Sequence, residues 1–273
     1  MSMEAQQSYI ALGPRPLLDE RPIYEPRYEV EGFIVPLLKR EISLLLDEYC
    51  SPGSGLAVLD VGCGRQPFRK LLESRGHHYV GMDTQAAADG SVQIVGAIDS
   101  ALPVQGLPVE AFDVVLCTEV LEHVADWHAA YQNIAYALKP GGHVLMTCPH
   151  FYIPHEEPYD FWRPTPNAIR FNAESANLRV VTIRKCGTGW DLLGTLLAAS
   201  QITPANPNKM GRLITKFTER SRLWLLRQLR SGAVQRHMSF QSMFYLSVIG
   251  VLEKPQPISE IPALHPVDQN AIS

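Results

Sequence analysis

The chain has 273 residues, of which 46% are hydrophobic and 19% charged, and its formal net charge is -4. This composition suits a globular protein with a sizeable core, and the negative charge disfavours nucleic acid as a partner. No apolar run is long enough to span a membrane, and the N-terminus lacks the pattern of a signal peptide. The five scattered cysteines contain no Cys-x-x-Cys pair, which disfavours disulfides and zinc and predicts a cytoplasmic protein.

Helical and strand patterns alternate along the chain after a proline-rich leader at residues 1–29. Apolar residues recur at helical spacing over residues 30–49, and further helices are predicted at Phe68–Ser74 and Trp127–Leu138, the latter stopped by Pro140-Gly141-Gly142. Strands are predicted at Ala57–Val61, Tyr79–Met82, Val92–Val95, Phe112–Cys117, His143–Thr147, Leu178–Lys185 and Phe240–Leu252. The alternation predicts an α/β fold with a mostly parallel sheet.

A glycine-rich turn, Asp60-Val61-Gly62-Cys63-Gly64, follows the first predicted strand. At the carboxyl end of a strand in an open α/β sheet, such a turn lets a nucleotide-like ligand approach the backbone closely. The dinucleotide motif Gly-x-Gly-x-x-Gly is incomplete, because Pro67 stands in place of its third glycine. Asp60 would repel a pyrophosphate and suits a cationic or hydroxyl-rich ligand. These two residues disfavour an NAD(P)-dependent oxidoreductase.

Two more aspartates follow predicted strands. Asp83 ends the second strand, about 20 residues after the glycine turn, where a carboxylate accepts hydrogen bonds from ribose hydroxyls. Asp99 follows the third strand, where a side-chain acceptor can bind the exocyclic amine of an adenine. Each aspartate alone is also typical of a helix cap or a turn. Three of them at successive strand ends favour a ligand site.

These motifs resemble the class I S-adenosylmethionine-dependent methyltransferases, in particular those of type 11. The resemblance covers about residues 55–150 and also includes Cys117 to Val124 and Leu138 to Gly142. It implies a Rossmann-like three-layer sandwich around a mostly parallel seven-stranded sheet of order 3-2-1-4-5-7-6, with the last strand antiparallel. The chain departs from the pattern at Gln66-Pro67, where many members have a third glycine.

The same resemblance implies S-adenosylmethionine as the cofactor and a set of residues that bind it. The implied contacts are Asp60, Gly62 and Gly64 with the methionine part, Asp83 with the ribose, Asp99, Ser100 and Ala101 with the adenine, and Thr118 and Glu119 below the cofactor. His123, in the same region, is interpreted as a packing and hydrogen-bonding residue rather than as a base.

An acceptor site is predicted after the fifth strand, in the segment of residues 149–166. Methyl transfer requires an aligned acceptor, and a hydroxyl acceptor also benefits from a nearby base. We expect catalytic roles for His150, His155 and Asp160 and substrate contacts from Tyr152, Glu156, Trp162 and Arg163. The histidines and carboxylates of this segment lack a helical metal-ligand spacing, so no metal is predicted. A polar surface loop with a few packed aromatic residues is the alternative interpretation.

The stretch from His155 to Thr165 is similar to one in bacterial methyltransferases encoded with surface-polysaccharide genes. This resemblance implies O-methylation in polysaccharide biosynthesis, on a sugar, a glycan or a lipid-linked glycan intermediate. Two alternatives stay open. The acceptor could be another small metabolite, such as a quinone-like hydroxyl, or the chain could bind the cofactor without transferring its methyl group and serve as a partner protein.

A basic stretch lies within a predicted helical insertion at about residues 187–238. Residues 209–236 hold eight lysines and arginines against a single acid, Glu219, with apolar residues near helical spacing. This pattern predicts either a peripheral contact with an anionic membrane, at its inner face, or a lid helix with a solvated basic side; RNA is less favoured.

We expect one domain over residues 30–254 and an irregular tail over residues 255–273. The sequence does not predict an oligomeric state.

Overall fold

The computed structural model describes residues 24–205, 208–240 and 243–257. Within them, one sheet lies between two layers of helices. Its strands are β1 (Ala57–Val61), β2 (His78–Asp83), β3 (Ile94–Val95), β4 (Phe112–Thr118), β5 (Leu138–Pro149), β6 (Arg179–Cys186) and β7 (Ser247–Glu253). The helices are α1 (Glu31–Tyr49), α2 (Arg69–Ser74), α3 (Trp127–Ala137), α4 (Pro166–Ser175), α5 (Gly189–Ala199) and α6 (Lys209–Arg230). A short 3-10 turn occupies Leu121–His123.

The strand order confirms the predicted sheet. It is β3-β2-β1-β4-β5-β7-β6, and β7 runs antiparallel to both of its neighbours. Val61 pairs with Met82 on one side and with Cys117 on the other, so β1, β2 and β4 end level with one another. Asp60, Asp83 and the residues after β4 therefore meet at one edge of the sheet, where the sequence predicts the cofactor.

Alternating residues of the central strands pack into two separate apolar layers. Val115 and Cys117 of β4 pack with Tyr131 of α3 and Ile169 of α4 on one face. Val114 and Leu116 pack on the other face with residues of α1 such as Leu38 and Ile42. Because both faces are covered, the sheet is the middle of a three-layer sandwich.

Two predicted strand bounds are wrong. Helix α3 ends at Ala137, and Pro140-Gly141-Gly142, which were predicted to stop it, already lie in β5, next to a register shift against β4. The last strand begins at Ser247 rather than at Phe240. Phe240 instead packs its ring against Trp190 at 5.1 Å, and residues 241 and 242 lie outside the described residues.

The predicted insertion contains helices α5 and α6. Gly194 of α5 faces the ring of Phe33 on α1, and a Cβ added at Gly194 would overlap that ring. No helix in the described ranges combines the length and apolar character needed to cross a bilayer. Of the predicted leader and tail, residues 1–23 and 258–273 lie outside the described residues.

The contact at Gly194 predicts a size limit. Gly194→Ala should lower the free energy of unfolding by about 1–3 kcal/mol, the usual cost of overpacking, because α5 must shift away from α1. Urea denaturation followed by circular dichroism measures the change. Phe33→Leu, which removes the ring, should recover part of the loss in the double variant. Equal stability of Gly194→Ala and the wild type would contradict the packing described.

Candidate active site

The glycine turn after β1 packs directly against the segment after β4. Gly62 has a φ of +61°, and a Cβ added there would lie 2.5 Å from Cγ2 of Val120. Gly64 has a φ of +49°, and its backbone N–H donates to Oδ2 of Asp83 at 2.9 Å. Residues with side chains rarely adopt these φ values, so the backbone favours glycine at both positions, and the contact with Val120 adds a steric reason at Gly62. The turn thus contacts both the end of β2, at Asp83, and the segment after β4, at Val120.

The third left-handed residue of this turn is Gln66 rather than Pro67. Gln66 has a φ of +55°, the conformation that glycine would adopt without strain. Its side chain is buried, and Nε2 donates to the backbone oxygen of Ser91 at 2.7 Å. This hydrogen bond holds the turn at Gln66.

Asp60 is a buried carboxyl group with one strong protein partner. The hydroxyl of Tyr79 donates to its Oδ2 at 2.5 Å. Burial raises the pKa of Asp60 to about 7; the Tyr79 hydrogen bond opposes this rise and the nearby Asp83 adds to it. A cationic ligand group would favour the charged form of Asp60 and so suits this position.

The predicted adenine residues lie on the segment between β3 and α3. The Asp99 carboxylate accepts a hydrogen bond from the backbone N–H of Asp126, the residue that caps α3, at 3.3 Å. Ser100 and Ala101 are exposed, and the Asn133 side chain holds the Ser100 carbonyl at 2.9 Å. These contacts fix the segment against α3, and the adenine role of its residues stays a prediction.

Thr118 ends β4, and Glu119 directly after it turns toward β5 and β7. Glu119 has a φ of +54°, and its carboxylate accepts a hydrogen bond from the Ser247 hydroxyl at 3.4 Å. Burial raises the pKa of Glu119 to about 7, although hydrogen bonds from Thr147 and Ser247 oppose it. Glu119 therefore lies between the predicted cofactor residues and the loop that follows β5.

The β5–α4 loop (residues 150–165) is fastened onto the 3-10 turn. The backbone N–H groups of Phe161 and Trp162 donate to the carbonyl of Glu122 at 2.8 and 3.3 Å. The Trp162 indole donates to the carbonyl of Val124 at 2.8 Å. This loop therefore has a fixed position over the segment after β4, rather than forming an independent surface feature.

Asp160 organises the inside of this loop. Both of its oxygens accept hydrogen bonds from the Arg163 guanidinium, at 2.6 and 2.7 Å, and Oδ2 also accepts one from the backbone N–H of His155 at 2.9 Å. Burial alone would raise the pKa of Asp160, but these hydrogen bonds outweigh it and lower the pKa. Arg163 further donates to the carbonyl of Ile153. Asp160 and Arg163 thus hold the loop in shape, and their predicted catalytic and substrate roles stay predictions.

His123 and His155 form a pair whose Nε2 atoms lie 3.2 Å apart. Nδ1 of His123 lies 2.8 Å from the carbonyl of Tyr159, and Nδ1 of His155 lies 3.2 Å from that of Ile153. A carbonyl oxygen only accepts hydrogen bonds, so both Nδ1 atoms carry a proton. In their neutral forms the two rings therefore turn unprotonated Nε2 atoms toward each other. Nε2 is therefore the atom at which each neutral ring accepts a hydrogen bond.

Glu122 lies directly beneath this pair and is completely buried. Its Oε1 has no hydrogen-bond partner in the described part of the chain and lies 3.8 and 3.9 Å from Nε2 of His123 and His155. Burial, together with the charge of Glu119, raises the pKa of Glu122 well above its usual range. The three side chains could also hold a metal ion, because their ligand atoms lie within 4.8 Å of one another. The absence of a metal stays a prediction. From sequence it was considered only for the histidines and carboxylates of residues 149–166, which do not include Glu122 and His123.

The other predicted acceptor residues surround this pair at different distances. His150 stacks on Tyr245 with ring centroids 4.2 Å apart, and its Nδ1 lies 2.9 Å from the carbonyl of Pro164. Tyr152 packs edge-on against His155, and the exposed Glu156 approaches Nε2 of His123 at 3.9 Å. Trp162 is exposed on the same loop, as are Tyr159 and Phe161.

Sequence reasoning did not assign a site role to Glu122 and set His123 aside. Both belong to the run Glu122-His123-Val124, which the resemblance included only as a family motif. Their importance follows from the contact with His155, 32 residues later in the chain. No local pattern predicts that contact.

A family profile described as "Methyltransferase domain" matches residues 32–177, more than half of the chain. This chain belongs to the methyltransferase-domain family. The match includes every predicted cofactor residue and the β5–α4 loop. At the level of the family, it confirms the predicted methyltransferase.

A sequence relative matches about half of the chain. The ubiquinone biosynthesis O-methyltransferase of Stutzerimonas stutzeri is 30% identical over 139 residues, which are 47% of this chain and 56% of that protein. The chain thus spans little more than half the length of this relative.

Two solved structures share the fold. A SAM-dependent methyltransferase from Archaeoglobus fulgidus has a TM-score of 0.52 at 16% identity, over 82% of this chain and 97% of its own. The [4+2]-cyclase SpnF has a TM-score of 0.53 at 17% identity, over 93% and 94%. At such identities these likenesses support the fold alone.

The raised pKa of Asp60 predicts a pH dependence of cofactor binding. If the charged carboxylate is the form that binds, the affinity for S-adenosylmethionine should fall by up to about tenfold per pH unit as the pH drops below about 7, where Asp60 takes up a proton. Isothermal titration calorimetry between acidic and mildly alkaline pH measures this. Asp60→Asn should bind weakly with a flat profile, whereas Asp47→Asn, on the surface of α1, should match the wild type. A flat wild-type profile would contradict the role of Asp60.

Proposed function

We propose that this chain transfers the methyl group of S-adenosylmethionine to a hydroxyl oxygen of an acceptor bound at the β5–α4 loop. One observation carries the proposal. The carboxylates at the ends of β1 and β2 and the histidine pair lie at the same edge of the sheet, connected through residues 119–123. A methyl donor and a proton acceptor are the two things that O-methylation requires at one place.

The residues at the strand ends fit the cofactor chemically. When bound, S-adenosylmethionine supplies an electrophilic methyl group on a positively charged sulfur. Asp60 and Asp83 offer carboxylate oxygens to its cationic and hydroxyl groups, and the left-handed glycines leave room for it next to the backbone. Among the described residues, an added Cβ at Gly64 would meet only the carbonyl of Gly62, at 3.8 Å, which leaves space on that side of the turn.

His155 is the residue that we assign as the base. Burial, together with the neighbouring His123 ring, lowers the pKa of His155, so its ring is neutral at physiological pH. Asp160 and the carbonyl of Ile153 orient the ring from the Nδ1 side, which leaves Nε2 as the proton acceptor. Nε2 of His155 would take the proton of the acceptor hydroxyl, while the bound cofactor would supply its methyl group to the oxygen and, with the methyl–sulfur bond broken, leave as S-adenosylhomocysteine. The protonated ring would then donate a hydrogen bond from Nε2 to Nε2 of His123, with Glu122 3.9 Å away.

The exposed surface of the loop supports a sugar as the acceptor. Tyr159, Phe161 and Trp162 present aromatic faces on which sugar rings stack, and Glu156 adds an exposed carboxylate for hydroxyl groups. A sugar hydroxyl is a weak acid, so a positioned base contributes to its methylation. We therefore propose a glycan or lipid-linked glycan intermediate as the substrate class.

A second candidate acceptor is the hydroxyl of a quinone-like ring. It is favoured by the relative at 30% identity, which is named a ubiquinone biosynthesis O-methyltransferase. A phenolic hydroxyl has a pKa near 10 and so depends less on a base than a sugar does. The dependence of the rate on His155 therefore discriminates between the two acceptors.

Binding without methyl transfer is the remaining alternative. The structural neighbour SpnF is named as a cyclase, and a shared fold does not establish a shared reaction. The paired histidines over a buried carboxyl group favour transfer, because binding alone does not require a proton acceptor beside the cofactor.

His155→Gln should lower the turnover number for a sugar acceptor by about a hundredfold or more, the usual contribution of a general base, because glutamine cannot take the proton. Methyl transfer from radiolabelled S-adenosylmethionine to a lipid-linked oligosaccharide and to a prenylated catechol measures both candidates. Calorimetry should show unchanged cofactor affinity. His128→Gln, on the exposed side of α3, is the matched control.

Two results would contradict this mechanism. One is a His155→Gln variant as active as the wild type on every acceptor that is methylated. The other is a wild-type rate that a chelator abolishes and a divalent cation restores, since a cation would then occupy the position that we assign to the proton. No transfer to any acceptor, with the cofactor bound, would instead favour the binding-only alternative.

A further inference from the structure

Within the described part of the chain, helix α6 packs on the protein through one of its faces. Leu226 and Leu229 on that face are buried. Arg222, also on that face, donates from its guanidinium to the carbonyl of Leu197 at the end of α5, at 2.6 Å. Arg230 donates to the carbonyl of Glu29 before α1 at 2.8 Å. These contacts fix how the helix is rotated about its own axis.

A second apolar face of α6 points away from the protein. Its members follow helical spacing, at positions i, i+3, i+4, i+7 and i+14. They are Met210, Leu213, Ile214, Phe217 and Trp224, with 58–73% of each residue exposed. Nothing else among residues 24–205, 208–240 and 243–257 buries them. A contiguous apolar stripe of this kind on a soluble surface marks an interaction site.

A basic stripe runs beside this apolar face. It also follows helical spacing and consists of Lys209, Arg212, Lys216, Arg220 and Arg227, all exposed. Glu219, the one acid of the helix, is held by Arg222 on the attached side. The cations therefore lie next to the apolar stripe, while the helix presents no free carboxylate there.

This arrangement favours the surface of an anionic bilayer over a protein partner. Helices that lie in the bilayer interface combine an apolar face with lysines and arginines beside it. A tryptophan at the margin, as at Trp224, suits the boundary between headgroups and acyl chains. The whole chain has a net charge of -4, so the attraction must be local and must orient the acidic remainder away from the lipid.

We propose that α6 binds the surface of an anionic membrane with its apolar stripe in the interface and its basic stripe against the headgroups. The attached face of the helix keeps its contacts with α5 and α1 when it binds. The interaction does not depend on which acceptor the active site uses.

Vesicle flotation tests the proposal with the full chain. The wild type should float with vesicles of phosphatidylcholine and phosphatidylglycerol, float much less with phosphatidylcholine alone, and be released by salt. The double variants Leu213→Asn/Phe217→Asn and Lys216→Glu/Arg220→Glu should each weaken binding by about tenfold or more. The variant Arg170→Glu/Phe171→Asn makes the matched change on the exposed side of α4 and should bind like the wild type.

All of the substituted positions are exposed, so we expect each variant to fold. Circular dichroism and thermal unfolding check this. Wild-type binding to anionic vesicles that both α6 variants retain would overturn the proposal. Failure of the wild type to bind anionic vesicles would also overturn it. If the wild type then had twice the mass of one chain in solution and Leu213→Asn/Phe217→Asn did not, the apolar stripe would be assigned to contact with a second copy of the chain.

Discussion

The segment from Glu119 to His123 is the part of the structure on which the rest of the site depends. On one side, Val120 fills the space that Gly62 leaves open, so the cofactor turn rests against it. On the other side, the carbonyl of Glu122 accepts the N–H groups of Phe161 and Trp162, so the β5–α4 loop is fixed to it. Five consecutive residues thus set the distance between the two halves of the site. A change in their backbone would move the base relative to the methyl donor.

Crowded carboxyl groups give the site its electrostatic character. Asp60, Glu119 and Glu122 each have a raised pKa because burial disfavours their charged forms. Such an arrangement costs stability in the ligand-free protein and favours ligands that bring positive charge or hydrogen-bond donors. The cationic cofactor and a protonated imidazole both meet that description. The acidic groups are therefore consistent with the proposed reaction at both of its steps.

The sequence predicted those features that depend on one strand and its end. Asp60, Gly62 and Asp83 could be located because parallel strands carry their ligand residues at the carboxyl edge, and the strand order followed from the family resemblance. Gln66 was harder, because only the three-dimensional turn shows that it takes the left-handed conformation.

The histidine pair could not be predicted from the sequence, because its two residues are 32 positions apart. Backbone carbonyls orient each ring, and contacts with the backbone leave no pattern of residue types. The sequence likewise did not distinguish the buried face of α6 from its exposed apolar face, because Leu229 and Phe217 are both apolar. Only the packing shows that the first is buried and the second exposed.

Calorimetric titration of the wild type and of Asp83→Ala measures the role on which the site depends, the binding of S-adenosylmethionine by the carboxylates at the strand ends. We expect measurable binding by the wild type and at least about tenfold weaker binding by the variant, because the variant loses a charged hydrogen-bond acceptor. Absence of binding by the folded wild type, or equal affinities of the two proteins, would contradict it.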